Sequence, residues 1–200
     1  MERISEMLME SCKVNEDDID VTTMSIQLSK EYNVSIEDAK KFYVDFKEHT
    51  EMVRQLMFRA SEIIPLSHEM YTVLLLKASC HDNSKLYDPN ECGEYIKLNI
   101  DLKDKENGTP EYLKVIKNNK GVKHHYAVNQ HHPEHHKNGF EDMKKNGVLV
   151  IEMLCDWMAA HYRKNGNFNT LEESLKVNKD RYNISDKYYG DLKMLAMLIL

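Results

Sequence analysis

Six of the ten histidines of this 200-residue chain fall within thirteen residues, HHYAVNQHHPEHH over 124–136, where an even spread would place fewer than one. Neutral imidazole is the commonest protein ligand for transition metals, and carboxylates complete such sites, so the stretch points to metal chemistry. A solvated polar segment would sooner carry Lys and Glu. His124 and His131 are seven apart, as are His125 and His132; on one helix each pair would share a face two turns apart. A second constellation is His81-Asp82 in HDNSKL, with Lys85 three residues on. A third is Asp156, set in the apolar run EMLCDWMAA. A carboxylate buried there needs an ion partner or a metal, because an uncompensated buried charge is very costly, unless the face it shares with Glu152 is wet.

These residues need elements to position them. Ser35 with Asp38 three residues on forms a capping box, and apolar spacing then continues to Ile63, which predicts one long helix ending before Pro65. Ser67 can cap the next helix, whose run leads to Cys80, His81 and Asp82. The two form a hairpin at Pro65. His49 lies sixteen residues before that proline and His81 sixteen after it, so an antiparallel pair brings them to one level. His49, His81 and Asp82 are thereby candidates for one ion. His68, thirteen residues before His81, is about 20 Å away along the helix and reads as a capping or surface residue.

Residues 83–90 read as a loop and 91–102 as a helix. Thr109-Pro110-Glu111 opens another helix, predicted to run toward His132 and to end at Pro133. Helices are expected over 148–162 and from Thr170 and Ser185, with two short patterns at 4–12 and 23–32. The chain is 42% hydrophobic and 30% charged with 7 Gly and 4 Pro, which favours helices over a disordered or turn-rich fold. The expected fold class is all-α: a helical bundle over 35–200 preceded by a helical appendage over 1–34. A net charge of −6 argues against broad binding to nucleic acid or anionic lipid, while a small anionic ligand held locally is compatible with it. Cys12, Cys80, Cys92 and Cys155 are scattered without a C-x-x-C pair, as suits reduced thiols. No stretch has the length or apolarity of a signal sequence or spanning helix, and the expectation is a cytoplasmic protein.

The order His49, His81-Asp82, the histidines of 124–132, then Asp156 resembles the HD-domain superfamily of metal-dependent phosphohydrolases. More closely, HDNSKL, KHHYAVNQHHPEHHKNGF and EMLCDWMAA resemble a small bacterial and phage family of HD-like proteins; the likeness covers about residues 45 to 184. It implies an all-helical site in which His49, His81, Asp82 and Asp156 hold a divalent ion (Mn, Mg, Co, Ni, Fe or Zn). In two-metal relatives Asp82 bridges, and His125 with His131 or His132 takes the second ion. Lys85 corresponds to a basic residue near the phosphate. The implied reaction is hydrolysis of a nucleotide or related small phosphate ester by metal-activated water, with Asp82, Lys85 and His125 as catalytic residues. Three alternatives carry different chemistry: a module that sequesters a nucleotide unchanged, a di-iron oxygenase on the same scaffold, and a structural protein whose histidines take up stray zinc.

Overall fold

The computed structural model describes residues 13, 14, 18–106 and 108–200. Among these residues every regular element is helical, as composition and patterning predict. The pattern over 4–12 lies outside the described residues. No helix among them is long and apolar enough to cross a membrane. The chain packs as two units. Of the described residues, the first comprises His49–His81 and Gln130–Leu200, the second Lys13–Glu48 and Asp82–Asn129.

Helix α1 (Ile19–Tyr32) is followed by α2 (Ile36–Ile63), which contributes its first part, 36–48, to the second unit and the remainder to the first. The capping box forms as expected: the Asp38 N–H donates to Ser35 Oγ at 3.0 Å and the Ser35 hydroxyl donates to Asp38 Oδ2 at 2.6 Å. In the first unit the chain turns at Pro65, and Ser67 caps α3 (His68–Cys80) by accepting from Met70 N–H. Helix α9 (Gly147–Asn165) is the centre of this unit. Every residue from 148 to 159 on it is buried, the pattern of a helix covered on all sides, and it packs against α3, α10 (Leu171–Arg181) and α11 (Asp186–Ile199). Leu56 and Met57 from α2, Leu74 from α3, Met153, Leu154 and Met158 from α9, and Leu192 and Ile199 from α11 make its core.

The second unit has a core of its own. Val21 and Leu28 of α1 meet Ala39, Phe42 and Phe46 of α2, Leu86 of α4 (Ser84–Tyr87), and Cys92 and Ile96 of α5 (Cys92–Leu102). Helices α6 (Pro110–Asn118) and α7 (Lys120–Val128) complete it, both packed against α5.

Two sequence expectations give way. Residues 83–90 are not all loop, since Ser84–Tyr87 make one helical turn. The helix opened by Thr109 does not continue to His132. It stops at Asn118, Asn119 is extended, and α7 starts afresh and ends at Val128. The cause is side-chain capping: Asn119 Oδ1 accepts from Val122 N–H at 2.9 Å while its Nδ2 donates to the Glu94 carbonyl at 3.0 Å. The seven-residue pairing of His124 with His131 and His125 with His132 on one helix face therefore does not exist. His131 lies in the turn before a short 3₁₀ segment (Pro133–His135), and His132 is extended ahead of Pro133. Helix α8 (Phe140–Met143) then leads to α9.

Candidate metal centre

In the first unit the hairpin arithmetic holds. His49 sits mid-way along α2, His81 follows the last residue of α3, and their ring centroids are 5.6 Å apart. Both present Nε2 to the same oxygen of α9: Asp156 Oδ1 is 3.1 Å from His49 and 3.8 Å from His81. Asp156 is 9% exposed, His49 7% and His81 2%, so the face is not wet. One turn earlier on α9, Glu152 is equally buried, with Oε1 3.2 Å from His81 Nδ1 and 3.4 Å from His131 Nδ1. Lys77 Nζ approaches its other oxygen at 3.6 Å. The His131 ring lies 4.6 Å from that of His81 and 4.1 Å from that of His132. The cluster thus gathers His49, His81, His131, His132, Glu152 and Asp156 in one buried region of one unit.

The second unit holds a parallel chain of groups. Asp82 is buried, with φ of 56°, a left-handed backbone that Asp and Asn tolerate better than other side chains. Its Oδ2 accepts from Lys85 Nζ at 2.5 Å, and its Oδ1 lies 3.1 Å from His125 Nε2. The other nitrogen of His125, Nδ1, meets Glu91 Oε2 at 2.9 Å, where the Ser84 hydroxyl also donates. Glu91 Oε1 faces His124 Nδ1 at 3.0 Å. Burial alone would raise the Glu91 carboxyl, but hydrogen bonds with His125, His124 and Ser84 outweigh it and hold the group below the usual carboxylate range. For His125 burial works toward the neutral ring, and the Asp82 carboxylate overrides it, raising the pKa despite Lys85. Lys85 also lies over the Tyr95 ring at 5.2 Å.

This arrangement depends on one glycine. At Gly121 on α7 a Cβ would stand 2.7 Å from Glu94 Cβ and 3.2 Å from the Glu91 carbonyl of α5's approach. Only glycine lets α7 come so near, and that approach delivers His124 and His125 to Glu91.

Every residue expected from the sequence at a site is thus placed in one of two buried polar groups: His49, His81, His131, His132 and Asp156 in the first unit, Asp82, Lys85 and His125 in the second. His68 is exposed at the start of α3, and His135 is exposed while His136 is half-buried. Reading the sequence missed Glu91, which is fully buried, and took Glu152 only as a neighbour of Asp156; its one signal was the four-residue spacing on an apolar helix. Imidazole nitrogens with carboxylate oxygens are the donor set of divalent transition metals. His49, His81 and Asp156 each offer one such atom, all within 4.8 Å of one another, and so do His81, His131 and Glu152. The residues fit a metal ion on that chemistry.

A family model described as "Family of unknown function (DUF5662)" matches residues 38–197. No curated protein and no solved structure matches the chain.

Proposed function

The chain belongs to the DUF5662 family, and from that premise we propose that it is a metal-dependent phosphohydrolase of the HD type, acting on a nucleotide or related small phosphate ester. The observation that carries the proposal is the convergence of His49 Nε2 and His81 Nε2 on one buried oxygen of Asp156. A buried apolar unit that needed no ion would gain nothing from gathering four histidines and two carboxylates in its interior. The HD order of the sequence supports the same reading. In it His49, His81 and Asp156 hold an ion. A divalent ion so held supplies positive charge to a phosphoryl oxygen and lowers the pKa of a bound water. Asp82 would orient a water or take its proton, Lys85 would give the phosphate a point charge, and a histidine that holds no metal would protonate the leaving oxygen.

The test is a screen of nucleotides and other phosphate esters with Mn²⁺, Mg²⁺, Co²⁺, Ni²⁺, Fe²⁺ and Zn²⁺, read by phosphate release and mass spectrometry. Metal-dependent release of phosphate from at least one ester is the expected result. Return of an intact nucleotide from the denatured protein would replace hydrolysis by sequestration, and iron-dependent oxygen uptake would replace it by oxygenase chemistry.

A further inference from the structure

We propose that Glu152 is a positioning residue whose buried carboxylate fixes His81 and His131 in the tautomer that makes Nε2 the metal-binding nitrogen. The inference rests on the metal-centre reading above and goes beyond it, because the HD pattern of the sequence assigns Glu152 no role.

A neutral imidazole carries one N–H, and the group facing each nitrogen decides where it sits. Glu152 Oε1 faces Nδ1 of His81 at 3.2 Å and Nδ1 of His131 at 3.4 Å. An ionised carboxylate only accepts, so both rings are driven to the Nδ1–H form and each keeps its lone pair on Nε2. The Lys77 ammonium, 3.6 Å from Oε2, supplies the countercharge that a carboxylate with 2% exposure needs. For His81 the consequence can be followed one step further. Its Nε2 lies 3.8 Å from Asp156 Oδ1, too long for a hydrogen bond. Two donors at about 2.1 Å from one tetrahedral ion lie about 3.4 Å apart, so a shift of a few tenths of an ångström brings both to one ion. A carboxylate, a ring and a second carboxylate are thus in line, the first gripping the ring and the second facing its lone pair. In the second unit Glu91 Oε2 faces Nδ1 of His125 in the same way, at 2.9 Å. Two buried glutamates in the same relation to a histidine point to a shared purpose, since ligating histidines need their second nitrogen held by an acceptor.

The experiment is a long-range ¹H–¹⁵N correlation spectrum of the ¹⁵N-histidine-labelled full chain, metal-free at mildly alkaline pH and again with zinc, alongside zinc affinity. Nδ1–H is expected at His81 and His131 without metal, and Nε2 coordination at His81 with it. Glu152→Gln keeps a carbonyl acceptor and is expected to retain the tautomer while binding zinc about ten-fold more weakly; Glu152→Leu removes the acceptor, frees the tautomer and weakens zinc about a hundred-fold. Nε2–H in the metal-free wild type, or zinc bound through Nδ1 with Glu152 itself as a ligand, would overturn the proposal, and neither result depends on the leucine variant folding. Nδ1–H rings that take up no zinc would keep the tautomer assignment and remove the metal-centre reading instead.

Discussion

Asp82 combines three costs at one position: a charge at 2% exposure, a left-handed backbone, and an ion pair that must stay closed. Each is of order a kilocalorie or more, and such concentrations of strain and buried charge gather at functional sites. Replacing it by Ala takes the partner from both Lys85 and His125. Asp82→Ala is therefore expected to abolish metal retention and phosphate release together, whereas His68→Ala, at an exposed helix start, leaves both unchanged. Metal content and turnover of the two purified variants decide it, and equal losses would show that the ligands are misassigned. Histidine alone is no guide at this scale. His161 is as buried as the candidate ligands, yet its Nδ1 meets the Ser174 hydroxyl at 2.7 Å, and burial beside Lys164 lowers its pKa, keeping it neutral. What separates His49 and His81 from it is a shared carboxylate.

Elements decide how near such groups come. Gly121→Ala would improve the intrinsic helix propensity of α7 by about 1 kcal/mol. Against that stands a Cβ at 2.7 Å from Glu94 Cβ, which cannot swing away as a side-chain tip can, and overpacking of this kind costs about 1–3 kcal/mol. The clash wins or at least cancels the gain, and it acts by pushing α7 off α5. The variant is expected to melt no higher than wild type and to hold metal more weakly, as thermal unfolding and a zinc titration would show; a higher Tm with unchanged affinity would refute the close-approach argument. The same helices mark where the sequence was legible. His49 and His81 could be paired by counting from Pro65, because a helical hairpin is regular enough for arithmetic to survive. The break at Asn119 was hidden, since one side-chain cap overrides a weak apolar pattern. Glu91 was hidden too: its burial depends on Gly121, thirty residues away in sequence, and no local period reports that.

On the scale of the molecule, the chain closes two apolar cores. Val21 and Leu28 of α1 are 1% and 3% exposed in the second, and Tyr43 donates from α2 to Asp20 Oδ2 at 2.6 Å. The family match begins only at residue 38, after this helix. A chain starting at Ser35 would lose two buried side chains, about 3–6 kcal/mol by transfer, a large part of the roughly 5–15 kcal/mol that holds a domain folded. It is expected to unfold well below the full chain in circular-dichroism melts, and coincident transitions would show that α1 is dispensable. The all-α class itself was legible from the few breakers and the strong capping signals. The division into two cores was not, because it follows from contacts made across long separations. That division also has a history in time. A ribosome delivers the last residue of the second unit, Asn129, while the first unit still lacks everything from Gln130 onward. At about 5–20 residues per second, synthesis of the remainder takes roughly 4–14 s. For about the first half of that interval, until α9 is made, the apolar faces of α2 and α3 have no partner helix, so the nascent chain passes through a stage in which the residues of one core are all made and the other is an open hairpin.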